Sequence, residues 1–260
     1  MSQPRSNREI EIRHCSTLAE YDECVRLEKV VWGGDIVVPS PIFVVAHHTG
    51  GQVLGAFKGT KLIGFTLALA AVRAGKPYLH SHMTAVLPKF RDSRTGRRLK
   101  LFQREDALKR GIDLVEWTFD PLDLKNAHFN LNILGAAARR LIPDCYGVTE
   151  SPLHGGLPTD RLVAEWWLGS GRVKSILAGK RRPASKRAQR IALPENMEAI
   201  KAGDRAAAAR IQRETREQFQ QWFAKGFVAT GVETRDAETA YLLEPAASIE
   251  GLRLPKFAED

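Results

Sequence analysis

Between Leu79 and Leu101 the chain reads LHSHMTAVLPKFRDSRTGRRLKL: a β-rich run stopped by a proline, a polar turn, and a helix that opens near Gly96. A strand that passes through so short a turn into a helix lays that helix back on its own sheet, so strands and helices share a layered architecture. Proline cannot continue a hydrogen-bonded ladder, so the strand over 78–87 ends at Pro88. The helix over 97–110 is amphipathic, with Leu99, Phe102 and Ala107 on one side and Gly111 just past its end.

The same alternation extends in both directions. Residues 10–13 alternate in polarity as a short strand does. Thr17 and Glu20 form a capping box that starts a helix carrying Tyr21, Cys24, Val25, Leu27, Glu28, Val31 and Trp32, and Gly33-Gly34 ends it. Residues 42–46 and 53–58 are β-rich, Gly59-Thr60-Lys61 turns the chain, and 62–72 and 78–87 complete a meander. Beyond the helix, 112–119 predicts a strand, 123–134 a helix with Gly135 past its end, and 137–142 and 161–168 two more strands. The predicted class is α/β (α+β layered), a mixed central sheet flanked by helices. Composition then shifts. Residues 173–190 read as a basic linker, with Pro183 in its exposed part. Asp204 caps a helix that runs to Ala224 with Ile211, Thr215, Phe219 and Trp222 on one stripe. Residues 227–232 and 239–243 form a strand pair. The predicted domain limits are 1–172, the linker 173–190, and a small C-terminal α+β extension over 191–260.

With 260 residues, 43% of them hydrophobic, the chain can bury a sizeable core. The longest apolar run, 62–72, is too short to cross a bilayer, and the polar start MSQPRSNREI has no apolar signal core, so the expected location is cytoplasmic. Cys15, Cys24 and Cys145 fit no metal or redox spacing and are expected as reduced core thiols. A net charge of +9 attracts polyanions. One basic cluster is Arg91, Arg94, Arg97, Arg98 and Lys100. A second has eight basic and no acidic residues between Arg172 and Arg190 and reads as a solvated surface. A basic nucleic-acid-binding module is the reading that net charge alone invites, but the chain shows neither a nucleic-acid motif nor interleaved basic and aromatic residues.

The first cluster is different because it surrounds a helix N-terminus. Such an end offers main-chain N–H groups without helical partners and a positive dipole, and glycine lets a ligand approach the backbone. A pyrophosphate suits that place. Here Val86, Pro88, Arg91 and Gly96 stand in register with V-x-P-x-x-[QR]-x-x-G-x-[GA], with Arg94 replacing one motif glycine. With the words HSHMTAV, WTFDPL, NAHFN and GLPTDR and the order of elements over roughly 10–168, the chain resembles the GNAT superfamily of acyl-CoA-dependent N-acyltransferases. The resemblance implies acetyl-CoA, or another acyl-CoA, as co-substrate. It implies a splay between the fourth and fifth strands, with the pantetheine arm pairing near Thr84, Ala85 and Val86. The pyrophosphate would sit on the amides from Arg91 to Arg98, among them Arg94, Thr95, Gly96 and Arg97. The Val86 N–H would meet the oxyanion.

Acyl transfer to an amine also needs a base and a proton donor for the leaving thiolate. His82 and Glu28 are the first candidates for the base, with Glu116 and Asp120 behind them. His80 and His82 supply only two ligands for a metal, so none is expected. The family's tyrosine donor maps to Leu131 and its helix asparagine to Leu124, while Ala127 matches the family's small residue. Tyr146 is the candidate to replace the donor, and Asn126, Asn130 and Asn132 could bond the pantetheine amides. Trp32, Trp117, Trp166 and Trp167 are expected in the core or a pocket wall. Asp160 and Arg161 are expected either at the acceptor pocket or in an internal ion pair. The resemblance implies an amine of a small molecule or peptide as acceptor. A non-catalytic acyl-CoA-binding or sensing protein of the same fold is the alternative, motivated by Leu131 and Arg94. The 191–245 segment could cover the acceptor pocket, extend the sheet or form a homodimer contact.

Overall fold

The structure is a computed structural model and describes residues 9–33, 37–147, 156–180, 183–235, 238–249 and 251–252. The Gly34 half of the expected helix stop lies outside them. Packing divides the chain into two compact units at Val115/Glu116.

The first unit is an antiparallel sheet in the order β1 (Ile10–His14), β2 (Gln52–Lys58), β3 (Lys61–Arg73), β4 (Lys76–Val86). Helices α1 (Leu18–Trp32) and α2 (Ser40–His48) enclose one core with the sheet, built around Tyr21, Cys24, Phe43, Phe65 and Leu67. Helix α3 (Thr95–Lys109) encloses another through Leu99, with Leu54, Ile63 and Val86. Both hydrogen bonds of the Thr17–Glu20 capping box are present.

The expected strand over 42–46 is instead part of α2. Pro41 lies in the first turn, where its missing N–H costs nothing. Only Phe43 and Ala46 are buried, three apart, while Val45 is 52% exposed. A strand would bury alternate residues; here helical packing outweighs the β propensity of Ile42, Val44 and Val45.

The second unit begins within β5 (Leu114–Phe119) and has the strand order β5, β7 (Arg161–Trp167), β6 (Ala137–Ile142), β9 (Phe227–Arg235), β10 (Glu238–Pro245), β8 (Gln189–Leu193). Its helices are α4 (Leu124–His128), α5 (Gly171–Leu177), α6 (Met197–Gly203) and α7 (Arg205–Ala224). The helix expected over 123–134 is α4 followed by a π-helical turn, Phe129–Ile133. Asp204 caps α7, accepting from the Ala207 N–H.

The basic run 172–190 is not a uniform solvated surface. Part of it is α5, and its last two residues open β8. Arg172 donates to the carbonyls of Leu131, Gly135, Ala136 and Thr230. The C-terminal residues are woven into this unit. β9 pairs with β6, and the Asn132 amide brackets both main-chain groups of Val232. The partition 1–172, 173–190, 191–260 thus remains a proposal about folding units, and packing draws its own boundary in β5. Cys15 and Cys24 are buried, while Cys145 is only partly so.

Candidate active site

The pairing of β3 with β4 jumps from Ala68–Ser81 to Leu67–Met83, leaving His82 as the extra residue of a β-bulge. Bulges re-aim side chains and are frequent beside active sites. The His80 and His82 rings lie 6.4 Å apart. The His82 ring reaches solvent, yet desolvation by the protein around it holds its pKa below the ordinary imidazole value. That desolvation favours the neutral imidazole.

Past the bulge the ladder is regular, and the Leu87 N–H donates to the Ile63 carbonyl at 2.9 Å. Main-chain groups alternate in direction along a strand, so those of Ala85 face β3 while those of Thr84 and Val86 point away from it. Of the three residues expected to pair with the pantetheine arm, Thr84 and Val86 turn their main-chain groups away from β3 and Ala85 does not. The Val86 carbonyl accepts from Arg91 Nε at 3.3 Å.

The turn after β4 is a 3₁₀ helix over Pro88–Ser93. Arg94, which replaces the motif glycine, sits in the left-handed region at φ 59°, ψ 16° and precedes α3 without any side-chain cap. That conformation costs a non-glycine residue about 1 kcal/mol. The first helical bond runs from the Arg98 N–H to the Arg94 carbonyl, so the amides of Thr95, Gly96 and Arg97 lie in the turn that helix geometry leaves without internal partners. A Cβ on Gly96 would meet nothing nearer than Val86 Cγ2 at 3.9 Å, so packing does not demand glycine there and the backbone is left open. Thr95 is buried, its hydroxyl 2.6 Å from that of Ser93. Arg98 is tied by Nη2 to the Ile10 carbonyl at 2.5 Å.

The remaining candidates are dispersed. Glu28 is 5% exposed and accepts from the Val38 N–H through both oxygens; desolvation raises its pKa. It anchors the chain that follows α1. Glu116 is buried in an ion pair with Arg140 at 2.8 Å, and Asp120 pairs with Lys201 at 2.6 Å, so both carboxylates hold structure. Asp160 is in an ion pair, but with Arg216 on α7 and not within its own turn, accepting from that guanidinium at 2.7 and 2.9 Å and from the Asp144 N–H. Leu131 is fully buried. Tyr146 is 51% exposed, with its hydroxyl 3.0 Å from Thr118 Oγ1 and the Arg161 guanidinium over its ring. Asn130 is buried and donates to Asn126 Oδ1, and Asn132 is committed to β9. Trp117 and Trp166 pack edge to face in the core.

Sequence reasoning missed a polar seam between α3 and the sheet. Lys100 is 4% exposed; its Nζ lies 2.8 Å from Ser81 Oγ and 3.0 Å from Gln103 Oε1. Desolvation pushes its pKa down to about 7. Gln52 donates to Asp106 Oδ2 at 2.6 Å and to the Gln103 carbonyl, and His14 Nε2 lies 3.1 Å from Asp106 Oδ1. The signal was available: Gln103 falls midway between Leu99 and Ala107 at four-residue spacing, on the buried stripe of the helix.

No protein-family model matches the sequence, and no curated protein matches it significantly. Solved structures do. A GNAT-family protein from Desulfovibrio desulfuricans superposes with a TM-score of 0.50 at 13% identity, covering 62% of this chain and 100% of that one. The chain has the GNAT fold. Similar spans align with the yncA protein of Salmonella typhimurium with its cofactor acetyl-CoA (TM-score 0.49, 15% identity, 61% of this chain and 94% of that one). The Escherichia coli ribosomal-protein-S18-alanine N-acetyltransferase aligns at 0.48 and 14%, covering 60% and 92%. No helix among the described residues is long and apolar enough to cross a membrane.

Proposed function

We propose that this chain is an acyl-CoA-dependent N-acyltransferase acting on an amine of a small molecule or peptide. The observation that carries the reading is the continuity of β4 with α3. A strand with two residues whose main-chain groups face away from β3 runs, within one turn, into an uncapped helix start with an open glycine. The first part suits the amides of an extended arm by strand addition, the second a diphosphate. Thr84 and Val86 are assigned to the pantetheine arm; Thr95, Gly96 and Arg97 amides with the Arg94 and Arg97 guanidinia to the phosphates. Bound acyl-CoA supplies the thioester.

His82 removes the proton from the acceptor ammonium, and the Val86 N–H steadies the oxyanion as the amine nitrogen bonds to the acyl carbon. The carbon–sulfur bond then breaks and the thiolate takes a proton. The second proton of the acceptor nitrogen leaves as the amide forms and balances the one the thiolate gains. His82→Ala should lower kcat about a hundredfold, in the range of lost general-base catalysis. Because the His82 pKa lies below the ordinary value, the acid limb of the wild-type rate profile should fall below pH 6.5, and it should vanish in the variant. Arg94→Gly should leave stability within about 1 kcal/mol while weakening acyl-CoA binding roughly tenfold, through loss of a charge-assisted contact. Thermal shift with acyl-CoAs and CoA release with an amine panel test the reading. No stabilisation by any acyl-CoA sinks it.

Leu131, fully buried at the family's acid position, favours a second reading: a non-catalytic protein that binds acyl-CoA. Tight binding without transfer to any amine would select it.

A further inference from the structure

We infer that Lys100 is a positioning residue, which grips Ser81 and so holds the β4 bulge in the register that places His82. The inference rests on the acyltransferase reading for its functional consequence, and on the first unit alone for its geometry.

A bulge is the least determined point of a ladder. His82 has no partner on β3, so β3 pairing by itself does not forbid the bulge from migrating by one residue. A one-residue slip would turn Ser81 to the opposite face of the sheet and bring a histidine toward α3. The contact from Lys100 Nζ to Ser81 Oγ at 2.8 Å exists only in the observed register. It is a directional restraint where apolar packing would supply none. Both side chains are almost completely buried, and Gln103 Oε1 at 3.0 Å orients the amine from within α3.

The helix that carries this grip is itself fixed to the sheet. Asp106, two turns from Lys100, is bound to Gln52 of β2 and lies against His14 of β1. Arg110 bonds Asp106 and the carbonyls of Gly50 and Gly51. Lys100 also lies only four residues from Gly96, about 6 Å along the helix axis. One rigid element therefore sets the spacing between the helix start proposed for the diphosphate and the bulge that carries the proposed base.

Amide hydrogen exchange resolved by residue tests this in Lys100→Met, Ser81→Ala and the double variant. Exchange at Ser81–Met83 should rise at least about tenfold in each single variant and no further in the double, with the β2 amides Val53–Phe57 unchanged. For the enzyme, kcat should fall about ten- to a hundredfold while KM for acetyl-CoA stays within about twofold, because the reacting groups are misplaced and the helix start is not. Unchanged exchange at Ser81–Met83, or a uniform rise across the first unit, overturns the inference. Ser81→Ala keeps the test decisive if Lys100→Met does not fold. If the wild type turns over no amine, the acyltransferase reading fails by itself, and the exchange pattern still decides the role of Lys100.

Discussion

Arg216→Met should destabilise the protein by about 3–5 kcal/mol, the usual cost of removing one partner from a buried ion pair. Asp160 lies in the turn before β7 with its side chain 0% exposed, and both its oxygens accept from the Arg216 guanidinium. Methionine would fill most of the volume but leave a buried carboxylate facing an apolar side chain. At 2–4 °C per kcal/mol for a unit of this size, the thermal midpoint should fall by roughly 10 °C. Adding Asp160→Asn should recover part of the loss, since it removes the charge that methionine cannot compensate. Calorimetry of the two variants settles the matter; a midpoint within 2 °C of wild type in Arg216→Met, about the effect of less than 1 kcal/mol, would show that α7 does not clamp this turn.

Stability should rise steeply between pH 7 and 8.5, and Lys100→Met should abolish much of that rise. The folded protein holds the Lys100 pKa at about 7 by desolvation, whereas an unfolded lysine titrates near 10.4. Between those values the unfolded chain binds the extra proton, so folding stability increases with pH. The contribution approaches about 1.4 kcal/mol per pH unit and would total roughly 4–5 kcal/mol across the full window. Above about pH 8.5 unfolded cysteines begin to lose protons, and Cys24, its folded pKa raised first by the Cys15 hydrogen bond and then by burial, works the other way. The lower window therefore isolates Lys100. Denaturant unfolding of wild type and Lys100→Met at half-unit steps measures the difference in slope. Equal slopes would mean that the amine stays charged in the fold.

Local features were legible in the sequence because their causes lie within a few residues. The Thr17–Glu20 box, the Asp204 cap, the stop at Pro88 and the helix after Arg94 each depend on contacts inside one turn of chain. The order of strands and helices over 10–168, apart from α2, followed from such signals. Residues 42–46 misled because β-branched side chains favour strands only where a sheet is ready to receive them, and α1 and β3 offered a helical docking face instead.

The candidate site divided in the same way. The amino acids alone determined that a strand meets a basic helix start, and that His82, Val86 and Gly96 lie along it. Only the tertiary structure decided that His82 is the bulged residue, that Ala85 spends its main chain on β3, that Glu116, Asp120 and Asp160 are taken by cations, and that Lys100 turns inward to Ser81. The physical reason is range. Capping and chain termination are set by neighbours in sequence, whereas register, burial and the partner of a charge depend on residues brought together from 19 to 81 positions apart, and no periodicity within one segment encodes them.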